Sequence, residues 1–161
     1  MAFYSADPRE NIRNAIGWSC DINNDNVERS VISLDDKNFD KIYLPLLLPG
    51  EIRTGDMEDM PYIEMTLVSS PAKAYDVGGG VRKQQAYIDF NIWYPNLDNI
   101  TPTVFGRKVA DEIIDRIMTY RSSTVSAYFV EVIDDGREII ESDGKTSIFH
   151  RVLSIHTINY E

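Results

Sequence analysis

The sequence predicts an α+β domain: a single antiparallel β-sheet with a long amphipathic helix and a short N-terminal helix packed on one face. Three observations support this prediction: a strand pattern at 85–94, a helical pattern at 102–120, and a last third that again favours strands. The resulting order of helix, extended segments, hairpin, helix and further strands is typical of an α+β domain.

The size and charge of the chain limit what it can be. Its 161 residues are expected to form one domain, 1–161, with a substantial core. Apolar residues make up 43% of the chain and charged residues 26%, as in ordinary globular proteins. The formal net charge of −10 makes long-range attraction to nucleic acid or to an anionic membrane unexpected.

The cysteine count and the N-terminus narrow the class of protein further. Cys20 is the single cysteine of the sequence, which excludes an intramolecular disulfide and a cysteine-based zinc site. The first residues lack the basic and apolar regions of a signal peptide, and the apolar run 42–48 is too short to span a bilayer. We therefore expect an intracellular protein.

The first sixty residues predict a short helix followed by extended chain. Asp7 suits the N-cap, Pro8 the first helical position and Glu10 the capping box. The apolar stripe of this helix consists of Ile12, Ala15 and Ile16, and Gly17 marks its end. Residues 31–34 predict a short strand. The proline-flanked leucines at 42–49 predict extended chain that is buried on both sides.

The segment 85–94 predicts a half-buried strand, because its side chains alternate in polarity with the period of two that strands impose. The apolar side consists of Ala86, Ile88, Phe90, Ile92 and Tyr94. The other side consists of Gln85, Tyr87, Asp89, Asn91 and Trp93. A polar face that carries two aromatic residues suits a surface covered by a partner. It equally suits an ordinary strand whose aromatic residues pack under a loop.

A hairpin is predicted between the strand at 62–68 and the strand that begins at Gln85. Gly78, Gly79 and Gly80 would be entropically costly inside a strand or helix, so we expect a long, mobile tip here. The same segment contains a basic cluster in an otherwise acidic chain: Lys73, Arg82 and Lys83. The spacing of a phosphate-binding loop is absent, so nucleotide binding is not predicted.

Residues 102–120 predict the clearest amphipathic helix, which begins at Thr101-Pro102. Its apolar stripe is predicted to contain Val104, Phe105, Val109, Ala110, Ile113, Ile114, Ile117 and Met118. The opposite side is predicted to contain Arg107, Lys108, Asp111, Glu112, Asp115 and Arg116. The stripe is wide enough to lie across a sheet.

The last third predicts strands separated by two tight turns. Asp135-Gly136 and Asp143-Gly144 are strong hairpin-turn dipeptides, with a short strand expected between them. The closing strand, 147–160, has apolar residues on both faces, which predicts a central position or a bulge.

The sequence contains no pattern that predicts catalysis, a cofactor or a metal site, so we expect a protein that is not an enzyme. His150 and His156 share a face of the closing strand but lie roughly 20 Å apart at strand rise, too far to bind one metal. We interpret them as strand histidines with ordinary partners. The acidic residues around 134–143 do not fit a calcium loop and are interpreted as solvated turn residues.

The element order and one local motif resemble the lambda-type siphophage tail terminator family, also called tail-completion or head–tail joining proteins. The motif is Phe149-His150-Arg151-Val152-Leu153 in a closing strand after an aspartate-rich turn. The strand 86–93, a loop and the helix 102–120 are similar to the middle of that family. The resemblance covers about 61–160, whereas 1–60 looks like an N-terminal elaboration.

The resemblance implies a structural role in virion assembly. Members form a hexameric ring that caps the head-proximal end of the tail tube, stops its polymerisation and provides the joining surface for the head. The implied partners are further copies of the chain, the tail tube protein and a head-completion protein, while DNA passes through the channel without specific binding. The implied location is the virion tail, assembled in the host cytoplasm.

Combining the resemblance with the residue patterns gives a predicted subunit or tube interface. It consists of Lys73, Gly78, Gly79, Gly80, Arg82, Lys83, Tyr87, Asp89 and Trp93. An alternative function remains open: a non-enzymatic binding or scaffolding module of cellular origin that uses the same sheet.

Overall fold

A computed structural model describes residues 8–20, 29–36, 39–51, 61–69, 72–74, 82–96, 100–120, 129–142 and 147–160. The helices are α1 (Pro8–Ile16) and α2 (Pro102–Tyr120). The strands are β1 (Trp18–Cys20), β2 (Arg29–Asp36), β3 (Phe39–Leu47), β4 (Tyr62–Ser69), β5 (Ala72–Ala74), β6 (Arg82–Pro95), β7 (Phe129–Ser142) and β8 (Ser147–Tyr160).

All of these strands belong to one sheet, so the predicted α+β class is confirmed. The strand order is β1-β2-β3-β4-β6-β8-β7, and β5 pairs with β6 beside the end of β4. The prediction of a fully antiparallel sheet is wrong for one pair, because β3 and β4 run parallel at Leu46–Ile63 and Leu47–Glu64. A parallel pair needs a long crossover, and residues 48–61 provide the length for one.

The hydrophobic core lies between one face of the sheet and the two helices. The apolar side of β6 is fully buried there, as the alternation predicts. Helix α2 contacts β2, β6, β7 and β8, while α1 contacts α2, β2 and β4. The first sixty residues therefore contribute α1 and three strands to the same sheet and core.

Helix α1 confirms the predicted helix start and apolar stripe. Pro8 is its first residue, and the side chains of Ile12 and Ile16 are buried. The backbone N–H of Gly17 donates to the carbonyl of Arg13 at 2.8 Å and closes the last turn. The predicted cap, Asp7, lies outside the described residues.

Helix α2 has the predicted bounds, but its buried stripe is narrower than predicted. Val104 is 46% exposed and Met118 is 39% exposed. At about 100° per residue, nine residues place Val104 on the side opposite the buried Ile113, and five residues turn Met118 about 140° away from it. The prediction that these two side chains belong to the core is therefore wrong.

Arg116 was predicted on the solvent side of α2 and is buried instead, with 8% exposure. Its Nε donates to Glu112 Oε1 at 2.8 Å and its Nη1 to the carbonyl of Ile16 at 2.8 Å. Its Nη2 donates to Ser33 Oγ at 3.2 Å. The guanidinium thus links α2 to the end of α1 and to β2.

The predicted turn at Asp135-Gly136 is wrong. Strand β7 continues through both residues, and its register with β8 shifts between Val132 and Asp134 and again between Asp134 and Arg137. The dipeptide lies in an irregular, bulged part of a long strand, where glycine is common. Ser142 and Ser147 are partners, so the second predicted turn falls in the connection 143–146, outside the described residues. The predicted central position of β8 is confirmed.

Candidate interaction surface

The face of β4, β6 and β8 that points away from the helices carries mostly polar and aromatic side chains and is here called the polar face; the apolar Val152 lies on it opposite Asn91. Its residues on β6 are Gln85, Tyr87, Asp89, Asn91 and Trp93, all half-buried. Their partners include Glu64 and Thr66 on β4 and His150, Ser154 and His156 on β8. The alternation predicted for β6 is therefore confirmed on both sides.

Each aromatic residue of the polar face stacks on a histidine of the neighbouring strand. Trp93 and His150 are direct partners, with ring centroids 3.9 Å apart and planes inclined by 8°. Tyr87 and His156 are also direct partners, with centroids 4.4 Å apart and planes inclined by 3°. Because opposite residues of an antiparallel pair have adjacent side chains, the register of β6 and β8 alone creates both stacks.

Hydrogen bonds fix the orientation of both histidines. His150 Nε2 lies 2.9 Å from Asn91 Oδ1, and His156 Nε2 lies 3.0 Å from Gln85 Oε1. An amide oxygen only accepts hydrogen bonds, so the ring donates in each of these contacts when Nε2 carries the proton. The interactions of each imidazole therefore include a stack and a hydrogen bond, and the prediction of histidines with ordinary partners is confirmed.

The middle of the polar face is also linked across its strands. Asn91 Nδ2 donates to Thr66 Oγ1 at 2.9 Å and to the carbonyl of Glu64 at 3.3 Å, which fixes the amide orientation. Ser154 Oγ donates to Asp89 Oδ1 at 2.6 Å. The carboxylate keeps further acceptor positions, so one hydroxyl leaves it able to bind another donor.

One end of the polar face is closed. Tyr62 is fully buried and stacks near Trp93, with centroids 6.5 Å apart and planes inclined by 27°. The indole Nε1 is buried and has no hydrogen-bond partner within the described part of the chain. Trp93 is therefore held by Tyr62 and His150, and a partner would reach only part of its ring.

At the opposite end of β6 the structure places three further residues of the predicted interface, Lys73, Arg82 and Lys83. Lys73 is the direct partner of Lys83, and Ala74 is the partner of Arg82. The predicted hairpin is confirmed at its base, where β5 pairs antiparallel with β6. Gly78, Gly79 and Gly80 lie outside the described residues. Of the three predicted interface residues Tyr87, Asp89 and Trp93, Tyr87 is the nearest to these basic residues along β6. Trp93 is six residues farther along the strand.

The sequence alone did not identify the partners that organise this face. His150, His156 and Ser154 matter because of the register between β6 and β8, which strand patterns do not determine. Within the described ranges, no group of three or more His, Cys, Asp or Glu residues is placed to hold a metal ion. No described helix is long and apolar enough to cross a membrane.

No protein-family model matches the sequence. No curated protein matches it either.

Proposed function

We propose that this chain is a non-enzymatic structural subunit of a siphophage tail. In this proposal, copies of the chain form a ring that caps the head-proximal end of the tail tube, stops tube polymerisation and presents the joining surface to a head-completion protein. The ring would be assembled in the host cytoplasm and retained in the virion tail.

The resemblance in element order supports the proposal over about 61–160. The order of strand β6, loop, helix α2 and closing antiparallel strands is the feature on which that resemblance depends. The acidic character of the chain, with a net charge of −10, fits a channel wall past which DNA slides without binding.

The observation that carries the proposal is the polar face. It combines half-buried aromatic residues with a carboxylate, Asp89, that retains acceptor positions beyond its bond to Ser154. Mixed aromatic and polar surfaces of this kind are typical of protein interfaces that are wet before assembly. The histidine stacks keep the aromatic rings fixed before a partner binds, which reduces the entropy lost on association.

The test is electron microscopy of negatively stained tail tubes mixed with the purified chain. The tubes are assembled from the tube protein of the same virus, with the chain added before or after polymerisation. We expect a ring at one end of each tube when the chain is added afterwards, and tubes that shorten with increasing chain concentration when it is added first.

A chain that remains monomeric, leaves tube ends bare and does not change tube length would overturn the proposal. That result would favour the alternative of a cellular binding or scaffolding module. Because a ring can require the tube as a template, absence of rings without tubes does not decide between the two.

A further inference from the structure

The part of the polar face around Tyr87 is partly open to solvent. Val68 lies beside it on β4, in the bulge between Leu67 and Ser69, and is 61% exposed. Tyr87 and Asp89 are half-buried and lie on the same side of β6, about 7 Å apart at strand rise. This end of the face therefore offers an apolar side chain, an aromatic ring and a carboxylate close together.

The carboxylate of Asp89 has no cationic partner within the described part of the chain. The hydrogen bond that it accepts is the one from Ser154. Among the described side chains of the polar face there is a second carboxylate, Glu64, and no lysine or arginine. A carboxylate with unused acceptor positions forms strong, charge-assisted hydrogen bonds with a guanidinium group. The open end of the polar face therefore fits a partner that supplies a cation.

The solvent side of α2 carries the complementary groups. Among the lysine and arginine side chains that the structure describes, Arg107 is the exposed one, and it forms no ion pair there. Val104, one turn earlier, is 46% exposed. Helix residues three positions apart are neighbours, with Cβ atoms about 5–6 Å apart. The helix thus presents an apolar side chain and a guanidinium at nearly the spacing of Tyr87 and Asp89 on the polar face.

These two surfaces lie on opposite sides of the subunit. The buried side of α2, which includes Phe105, Val109 and Ile113, packs on the face of the sheet opposite the polar face. Val104 and Arg107 therefore cannot reach Asp89 within one chain. A second copy can place the solvent side of its α2 on the polar face, which would give the sheet a helix on both faces. A contact between two different surfaces propagates from copy to copy and closes into a ring when its rotation allows.

We propose that copies of this chain associate head to tail, with the solvent side of α2 of one copy on the polar face of the next. The Arg107 guanidinium of the first copy binds the Asp89 carboxylate of the second. Val104 packs against Val68 and Tyr87 beside this ion pair. This inference rests on the proposed self-assembly and names the surfaces that would join neighbouring subunits. Contact between two polar faces is disfavoured, because it would bring carboxylates together.

Directed cross-linking tests the contact at its two exposed apolar positions. In a Cys20→Ser background, one chain carries Val68→Cys and another carries Val104→Cys. The chains are mixed, with tail tubes or concentrated without them, and treated with a short bismaleimide. We expect cross-linked dimers in the mixture and almost none with either chain alone. Dimers that form as readily with one chain alone would overturn the head-to-tail contact.

Charge exchange provides a second test that separates the contact from misfolding. Asp89→Lys and Arg107→Glu should each cap tubes about tenfold more weakly, because every contact would then join like charges. A chain with both substitutions should recover capping, since opposite charges meet again at every contact. Urea denaturation would show that each variant is folded, and Arg107→Glu changes an exposed side chain. A double variant as weak as Asp89→Lys alone would mean that Asp89 contacts a different protein and would overturn the inference.

The outcomes separate this inference from the proposed function. If tubes are capped but the mixture does not cross-link and the double variant does not recover, the contact between α2 and the polar face is wrong and the cap remains. If the mixed chains cross-link but tubes are never capped, the contact is correct and the tail function is wrong.

Discussion

The ring of Tyr94 lies directly over Gly106, so that the first turns of α2 approach β6 more closely than any side chain at position 106 would allow. A Cβ at Gly106 would lie 2.8 Å from Tyr94 Cζ and even closer to the hydroxyl. Tyr94 is fully buried and also contacts Phe105 and Phe149, with centroids 5.2 and 5.6 Å away. A helix-interior glycine costs about 1 kcal/mol relative to alanine, and this close contact explains its presence.

Gly106→Ala should therefore destabilise the protein although alanine favours the helix. We expect a net loss of roughly 1–3 kcal/mol in the free energy of unfolding, because the added methyl group overpacks a closed site. Urea denaturation would measure it, with Thr119→Ala at an exposed position of α2 as the control. A Tyr94→Phe partner variant should recover part of the loss in a double-mutant cycle. A Gly106→Ala protein as stable as the parent would contradict the contact.

Arg116 should be far more important for stability than the other cations of α2. Arg116→Ala removes the donors to Ile16 O and Ser33 Oγ, and each buried group left without a partner costs about 1–3 kcal/mol. Arg116→Lys should recover little, since an ammonium group cannot reproduce the planar arrangement of donors. Arg107→Ala, at an exposed position of the same helix, should change stability by only about 0.5 kcal/mol. Equal effects of the two alanine variants in urea denaturation would refute this role.

The contrast between Arg116 and Val104 shows what the sequence could and could not predict about the fold. Periodicity gave the type and bounds of α2, since Pro102 and the apolar spacing mark them locally. It did not give the centre of the buried stripe, which depends on where α1 and β2 contact the helix. An arginine can be buried when acceptors are brought to it, and two of the acceptors of Arg116, the carbonyl of Ile16 and Ser33 Oγ, lie on other elements.

The sheet also has features that the sequence predicts and features that it does not. The two faces of β6 could be predicted, because successive side chains of a strand point to opposite faces and only one face is buried in the core. Two features could not be predicted: the parallel contact of β3 with β4 and the continuation of β7 through Gly136. Both depend on pairing with strands that are distant in the sequence. The candidate surface was therefore half predictable: Tyr87, Asp89 and Trp93 were identified, while their histidine and serine partners required the register.

The stack between Trp93 and His150 should be detectable by fluorescence. In a Trp18→Phe background, His150→Ala should expose the indole to water and shift its emission to longer wavelength. The accompanying loss of stability should be about 0.5–1.5 kcal/mol, as for other aromatic pairs. His156→Ala removes the other stack, six residues farther along β8, and should leave the emission of Trp93 unchanged. Equal shifts from both variants would indicate a general loosening of the sheet instead.

Asp89 offers a test of the polar face that separates assembly from folding. Ser154→Ala removes the hydrogen bond to Asp89 without changing charge, so we expect a loss of about 1 kcal/mol in stability and normal capping of tubes. Asp89→Lys removes the same bond and reverses the charge, and it should reduce capping about tenfold at a fixed concentration. Capping would be counted by negative-stain microscopy. If Asp89→Lys caps tubes as Ser154→Ala does, the polar face does not contact the tube or a neighbour.

Shortening the connection between Ala74 and Arg82 tests whether the predicted hairpin tip takes part in assembly. Ala74 and Arg82 are direct partners, so replacing residues 75–81 by Asn-Gly leaves a two-residue connection of the kind that closes antiparallel hairpins. The monomer should therefore keep its stability, measured by urea denaturation. If the tip containing Gly78–Gly80 contacts a neighbouring subunit or the last tube ring, the shortened chain should cap fewer tubes. A matched variant keeps the tip but carries Lys73→Ala and Lys83→Ala. It distinguishes an effect of the tip from an effect of the lysines at the base of the hairpin. Shortened chains that yield tails of normal length joined to heads would show that the tip is dispensable.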